Sequence, residues 1–366
     1  MRIAHVVTYV SSDGAFGGPV AVAVAHAKEL ARRGHEVDLL AGWDGEAQLE
    51  IEGVNVLLFQ ARKTLPGGFS GLTSRALQRH MRLKAKQYDV IHVHLARDLV
   101  TLPVAHLVSR RGSKFVAQTH GMVMPDLRLK ARVLDALAMR TTLRKADALL
   151  ALTEEEAAGL TTITADGSNI HTITNGIDLP STQTRPAPSI PQVVFLARLH
   201  PRKRVMAFAE AARNLIAAGS IATFHVVGPD EGDLLALMCF VESECLNGSL
   251  MYEGAIGSGQ APERLSKAAV YVLPSFGEIV PMTVLEAISV GTPVVITNDC
   301  GLADELRFRK AAAVTDGSVE ALTSAIDAIL EDPALAKSLR NNARIAVSEV
   351  YSICAVVDRL ETIYRS

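Results

Sequence analysis

The feature that most restricts this chain is a rhythm that runs twice. Short apolar, β-branched runs alternate with longer helical stretches, and a proline-rich passage separates the two series. Near-continuous apolar strands separated by helices require a parallel sheet covered on both faces, because a parallel strand needs a long crossover and is buried on each side. In the first series the expected strands are 3–9, 36–41, 54–59, 90–94, 115–119, 148–152 and 170–174. The helices between them are expected over 20–33 and near 72–86, 97–110, 126–145 and 153–160. Residues 179–191, LPSTQTRPAPSIP, hold four prolines and no apolar period, so 181–191 reads as a hinge. The second series has strands at 193–197, 223–227, 250–253, 270–273, 294–297 and 312–314, with helices near 204–218, 232–245, 262–268, 283–290 and 319–330. At 366 residues the chain can bury two cores. The expected class is therefore α/β, with Rossmann-like doubly wound domains over 1–180 and 192–345. A C-terminal helix over 346–366 has no strand left to pair with and is free to cross back to the first domain.

Composition narrows the function classes. A formal net charge of -2 gives no reason to expect a nucleic-acid partner for the whole molecule. The N-terminus lacks a signal-peptide pattern and no apolar run could span a bilayer, so a cytoplasmic protein is expected. Cys239, Cys245, Cys300 and Cys354 have no zinc-type spacing and read as reduced core or near-core thiols. The charge is uneven, however: residues 62–145 carry 17 Lys/Arg against 4 Asp/Glu. Within that stretch Arg75, Arg79, Arg82 and Lys86 recur at helical spacing beside Leu72, Met81 and Leu83. This predicts a cationic face that touches anionic membranes peripherally, or one that is simply solvated.

In an open parallel sheet ligands bind beyond the carboxyl ends of the strands, so polar residues just after strands carry the chemistry. Arg198 closes the strand at 193–197 and Lys203 follows in ARLHPRKR; such a pair suits a diphosphate leaving group, although alone it also fits a solvated basic loop. In PSFGEIVPMTVLEAISVGTPVV, Glu278 falls in the loop after the strand at 270–273, and Glu286 lies on the following helix among Val284, Leu285, Ala287 and Ile288. A carboxylate in apolar company needs donors, and a ribose diol supplies two hydroxyls. Glu278 is left to face the transferred sugar. The helix start, Ile279, Val280, Pro281, Met282 and Thr283, is assigned to donor binding, its free amides, which all but Pro281 possess, suiting phosphates.

In the first domain, Gly17 and Gly18 of DGAFGGP stand between strand and helix, where their amides could approach the distal phosphate or the sugar. The spacing is not the GxGxxG dinucleotide fingerprint. His120 ends a strand beside Gly121. His92 and His94 share one face of VIHVH, but no carboxylate or third histidine accompanies them at a recognisable interval, so no metal is expected and His94 is assigned to the acceptor side.

The E-x7-E pair, GTPVV, ARLHPRKR, VVGPDEGD at 226–233, YEGAIG at 252–257 and NGID at 175–178, in this order, resemble the retaining GT-B glycosyltransferases of family 4, the group 1 glycosyl transferases. The resemblance covers nearly the whole chain. It implies two Rossmann-like domains facing a central cleft, no cofactor, a nucleotide diphosphate sugar donor and a saccharide or lipid-linked acceptor. It implies that Arg198 and Lys203 contact the diphosphate, Glu278 the donor sugar, Glu286 the ribose and His120 the sugar near the reacting carbon, with Asn175 of NGID on the acceptor side. Where the family often has Glu-Gly-Phe-Gly, this chain has Glu278-Ile279-Val280-Pro281, and proline has no amide to offer the sugar. Two rival readings are a non-catalytic sugar-nucleotide-binding subunit, against which the retained Arg198, Lys203, Glu278 and Glu286 speak, and a nicotinamide-dependent oxidoreductase, which lacks its glycine loop.

Overall fold

The computed structural model describes residues 1–10, 17–46, 48–64, 68–125, 138–178, 189–257 and 259–366. The expected hinge at 181–188, the glycine-loop residues 13–16 and positions 126–137 of the expected helix at 126–145 lie outside the described residues. The chain divides into two units, Met1–Gly176 with Ile353–Ser366, and Ile177–Ser352.

In the first unit the strands are β1 (Arg2–Val10), β2 (Glu36–Trp43), β3 (Val54–Gln60), a short antiparallel ribbon of β4 (Arg62–Lys63) and β5 (Leu72–Thr73), β6 (Val90–His94), β7 (Lys114–Gln118), β8 (Ala148–Ala151) and β9 (Ile170–Thr172). Apart from the ribbon they form one parallel sheet in the order β3-β2-β1-β6-β7-β8-β9, whose strand order switches sides between β1 and β6. Side chains alternate between its faces. Ala4, Val6, Ile91, Val93, Phe115 and Ala117 pack into one apolar cluster, and Ile3, Val90, Val116, Ala148 and Leu150 into another on the opposite face.

That second face is closed by helix Gly17–Arg32 and by the C-terminal helix Ile353–Arg365. Val356, Val357 and Leu360 are fully buried there, each contributing about 1.5–3 kcal/mol. Arg33 pairs with Asp358 at 2.6 Å and His35 with Glu361 at 2.7 Å. Gly176 lets the chain pass close to this helix: a Cβ there would lie 2.6 Å from Ile353 Cδ1 and 3.0 Å from its Cα.

The cationic helix runs Arg75–Lys84, started by Ser74, whose hydroxyl accepts from the Leu77 amide. Arg75, Arg79, Arg82 and Lys86 are exposed, but Met81 is fully buried and Leu72 is partly buried against the core, so of the three apolar residues expected beside the charges only Leu83 faces outward. The periodicity that marks a charged face equally marks the apolar one that anchors it.

The second unit holds β10 (Gln192–Leu196), β11 (Thr223–Val227), β12 (Leu250–Gly254), β13 (Val270–Leu273), β14 (Val294–Thr297) and β15 (Ala313–Thr315), all parallel in the order β12-β11-β10-β13-β14-β15. Its strand order switches sides between β10 and β13. The Ile177 amide donates to the Tyr351 carbonyl at 2.8 Å, and Ile177 bridges Ser352 in parallel, so the two ends of this unit lie side by side. Cys300 is buried as expected of a core thiol, whereas Cys239, Cys245 and Cys354 are exposed on outward helical positions or turns, and all four are free. Among the described residues no helix is long and apolar enough to cross a membrane.

Candidate active site

The second unit gathers polar side chains where its strand order reverses, past the ends of β10 and β13, the place an open parallel sheet offers a ligand. After β10 the chain turns through Pro201–Lys203, whose start is held by His200 Nδ1 accepting from the Arg202 amide at 3.1 Å. Arg204 then takes a left-handed conformation at φ 56 and opens helix Val205–Ala217. Its guanidinium lies 4.2 Å over the Phe276 ring and donates to the Pro274 carbonyl at 3.1 Å, while the Phe276 amide donates to the Arg202 carbonyl at 3.0 Å. These bonds stitch the loop after β10 to the loop after β13.

The stitching brings Lys203 to Glu278: Nζ and Oε1 are 2.5 Å apart, with Arg202 at 3.6 Å from the same oxygen. Both members of the close pair are largely shielded from water. The loop after β14 holds the Glu278 backbone, its Gly301 amide donating to the Glu278 carbonyl at 2.7 Å, and Asp299 accepts from the Gly277 amide at 3.0 Å where Gly277 adopts φ 63. Arg198 is not part of this cluster. It makes a forked pair with Glu231 at 2.8 and 3.0 Å and stays more than half exposed. The loop that carries Glu231 approaches the end of β10 only because residue 228 is glycine: at φ 146 a Cβ would sit 1.9 Å from the Ala197 carbonyl oxygen.

Helix Met282–Ser289 begins at Pro281, with no side chain capping it. The amides of Val284 and Leu285 turn back to the Pro281 carbonyl at 3.1 and 3.4 Å. Glu286 sits in its second turn, and its carboxylate makes no hydrogen bond among the described residues. Burial alone pushes its carboxyl up from 4.5 to about 7. Tyr271 lies on the strand before these loops. Its buried hydroxyl lies 2.7 Å from Thr283 Oγ1 and 3.1 Å from the Leu196 carbonyl. Burial raises its phenol, the Thr283 bond opposes, and the Glu278 and Glu286 carboxylates add to the rise. Beneath them burial, reinforced by Glu278 and Asp299, lifts the Cys300 thiol to about 12, so it stays protonated.

In the first unit Gly18 is helical with open space around it, so Gly17, Gly18 and Pro19 form the first turn of helix Gly17–Arg32, not the tail of a loop. Proline fits that turn because its missing amide is unpaired there in any case. His120, at φ 50, and Gly121, at φ 71, make a left-handed corner after β7. Glu156 fixes this corner, its carboxylate accepting from Thr119 Oγ1 and the Gly121 amide at 2.5 Å each and from the Leu152 amide at 2.7 Å. His120 Nε2 lies 2.7 Å from His94 Nδ1, the rings stacked at 5.0 Å between centroids. Burial, with His26 nearby, lowers the His120 imidazole to about 3 and keeps it neutral. Asn175 is buried with its Oδ1 unpartnered.

Arg202, Asp299, Tyr271 and Glu156 are site residues that sequence reasoning missed. Arg202 stood inside ARLHPRKR and could have been read there. Glu156 stood in a run of three acids at a helix start, which looks like ordinary dipole stabilisation.

Known proteins resemble this chain in sequence and fold. The family model described as Glycosyltransferase Family 4 matches residues 16–180, and that described as Glycosyl transferases group 1 matches 182–346, so together they take in nearly the whole chain. A D-inositol 3-phosphate glycosyltransferase of Rhodococcus opacus (strain B4) is 25% identical over 90% of this chain and 81% of its own length. An Escherichia coli UDP-Gal:alpha-D-GlcNAc-diphosphoundecaprenol alpha-1,3-galactosyltransferase is 24% identical over 77% of this chain and 76% of its own. Among solved structures, Anabaena HepE in complex with UDP and glucose superposes with a TM-score of 0.75, covering 100% of both chains at 18% identity, a likeness of fold.

Proposed function

This chain belongs to the group 1 glycosyltransferases, with an N-terminal part of family 4, and on that footing we propose that it moves a hexose or N-acetylhexosamine from a UDP- or GDP-linked donor to a saccharide or lipid-linked acceptor, with retention at the anomeric carbon and without a metal at the phosphates. The acceptor class follows the relatives' names: one acts on a diphosphoundecaprenol-linked sugar and others on inositol phosphate. Synthesis of cell-surface polysaccharide or glycolipid at the cytoplasmic side of a membrane is the corresponding setting.

The observation that carries the donor assignment is Glu286, a largely buried carboxylate with no donor of its own, held near pH 7 in its titration. A ribose 2′,3′-diol supplies the two missing donors and restores the charged form. Lys203 turns from Glu278 to the diphosphate, joined by Arg198 and the free amides of Met282 and Thr283. Glu278, released, accepts hydrogen bonds from the sugar, with the backbone of Ile279 and Val280 beside it, and His120 of the first unit is assigned to the sugar near the reacting carbon. The glycosidic carbon–oxygen bond to the phosphate breaks, the acceptor oxygen bonds to that carbon on the same face, and the acceptor proton passes to the departing phosphate oxygen. Gly17 and Gly18 are assigned to the phosphate or sugar side and Asn175 to the acceptor, while the buried His94, expected on the acceptor side, acts there only through its bond to His120.

Calorimetric titration with UDP and GDP separates the two glutamates. Glu286→Gln is expected to weaken the preferred diphosphate by about 1–3 kcal/mol, the worth of a charge-assisted hydrogen bond. Glu278→Gln, which frees Lys203 from its ion pair, is expected to leave diphosphate affinity unchanged or tighter and to reduce turnover of the intact donor. Wild-type affinity is expected to persist in EDTA. Equal losses of diphosphate affinity in the two variants would show Glu278 to be misassigned, and normal affinity in Glu286→Gln would remove the ribose role.

A further inference from the structure

Four histidines from three separate elements meet inside the first unit. The β1–β6 register sets His5 directly beside His92, and the period of two puts His94 on the same face. Helix Gly17–Arg32 lays His26 over them, its ring 6.1, 6.1 and 6.2 Å from the rings of His5, His92 and His94. The strand rings stand 4.6 to 5.4 Å apart. None of the four is more than 1% exposed.

The hydrogen bonds do not satisfy them. His94 spends Nδ1 on His120 and lies 3.1 Å from His5 Nδ1 through Nε2, and His92 spends Nδ1 on the Tyr364 hydroxyl at 2.6 Å. His5 Nε2, His92 Nε2 and both nitrogens of His26 are buried without any partner. Gln118, opposite His94 in the sheet, bears on the His92 imidazole, yet neither end of its amide makes a normal hydrogen bond. Each orphaned nitrogen forfeits its hydrogen bonds with water, a cost natural interiors avoid. One nitrogen from each ring can be chosen so that all four lie within 4.8 Å of one another, and no other such cluster of metal-ligating side chains occurs among the described residues.

We propose that His5, His26, His92 and His94 bind one divalent transition-metal ion, zinc by preference, as a closed structural site. An all-imidazole set suits zinc, and ring centroids about 5 Å apart are what tetrahedral coordination at Zn–N distances of about 2.0–2.1 Å requires. Turning of the His92 and His94 rings, which stack within 6° of parallel, and an inward shift of His26 close the remaining gap, with His94 Nε2 exchanging its bond to His5 for the metal. Burial already holds the four rings in the neutral form that ligates. The outer bonds are those of a metal site's supporting shell. Tyr364 orients His92 from the C-terminal helix, and His94, bound through Nε2, presents Nδ1–H to His120 and so sets that ring's tautomer. The ion ties β1, β6, helix Gly17–Arg32 and the C-terminal helix together and takes no part at the donor phosphates.

The test uses the untagged full chain, refolded with excess zinc and passed over a chelating resin. One equivalent of zinc is expected by elemental analysis, with an all-nitrogen first shell in X-ray absorption. Replacement by cobalt is expected to give the intense visible bands of a tetrahedral site, and zinc is expected to raise Tm. Tyr364→Phe, a positioning variant, is expected to weaken zinc about 10-fold, and His26→Leu to weaken it further and abolish the cobalt bands, while the exposed His171→Gln changes nothing. Less than a tenth of an equivalent in the wild type would overturn the proposal without reference to any variant's folding. So would an oxygen-rich shell, or cobalt bands that persist in His26→Leu. None of these readouts depends on transferase activity.

Discussion

β6 and β13 occupy equivalent places, each beside the central strand where its sheet order reverses, and they are built on different principles. β13, VYVL, is buried throughout, and its one polar group, the Tyr271 hydroxyl, is hydrogen bonded. β6, VIHVH, is equally buried and carries two imidazoles into the sheet, facing a third from β1 and a fourth from a helix. In the second unit Lys203, Glu278 and Asp299 lie on loops just past the strand ends, and the exceptions are Glu286 on its helix and the His225–Glu253 pair on β11 and β12. The first unit keeps Asp98, Glu156 and the histidines inside, each at a desolvation cost that specific partners must offset. A dry interior with a polar rim leaves groups able to change partners when a ligand arrives. A polar interior fixes geometry instead, as Glu156 fixes the His120 corner.

The sharpest way to break this contrast is Glu156→Gln. Three buried donors converge on that carboxylate, and glutamine meets them with one oxygen and an amide that repels them. A loss of about 3 kcal/mol in chemical denaturation is expected, because buried unsatisfied groups cost about 1–3 kcal/mol each. A loss below about 1 kcal/mol would mean that the first unit's internal bonds are as replaceable as surface ones.

Glu286 gives an effect of similar or smaller size and of opposite sign. Its folded-state carboxyl is raised from 4.5 to about 7, so the folded chain holds the proton more tightly than the unfolded one. The resulting stability is present below the unfolded value and is lost as pH rises toward the folded one. Glu286→Gln is therefore expected to match wild-type stability near pH 4.5 and to exceed it increasingly toward pH 8, by on the order of a few kcal/mol at most, with Tm following. Saturating nucleoside diphosphate is expected to reverse the order. A pH-independent difference between the two proteins would show that this carboxylate is already satisfied without ligand.

The smallest expected effect concerns the outside of the first unit. Arg75, Arg79, Arg82 and Lys86 pair with no carboxylate among the described residues, and Arg82, Arg110 and Arg111 line one groove with Leu107. Weak co-sedimentation with anionic vesicles at low salt is expected, with each removed charge costing about 1 kcal/mol. Because only Leu83 stands outward among them, the binding is expected to be electrostatic and to vanish at high salt. Failure to co-sediment at low salt would leave these arginines as a solvated face.

The alternation of apolar strands with helices is a local property, legible residue by residue, and it was enough to expect two parallel doubly wound sheets. The ordered motifs, each a few residues long and tied to a strand end, likewise singled out Lys203, Glu278 and Glu286 as candidates for donor binding. Partnership was not readable. Lys203 and Glu278 are 75 positions apart, and they meet because Arg204 and Phe276 hold two loops together. Arg198, expected beside Lys203, pairs with Glu231 instead, since Gly228 brings that loop against the end of β10. Three consecutive acids at 154–156 look alike in the sequence, and only the strand ends they abut turn one of them inward. The spacing around His92 and His94 showed no third ligand, because in a parallel sheet the neighbours of a strand come from distant segments: His5 is 89 positions from His94. Periodicity therefore determined which face each side chain occupies, while register and helix placement, which depend on the packing of the whole unit, decided which polar groups share that face.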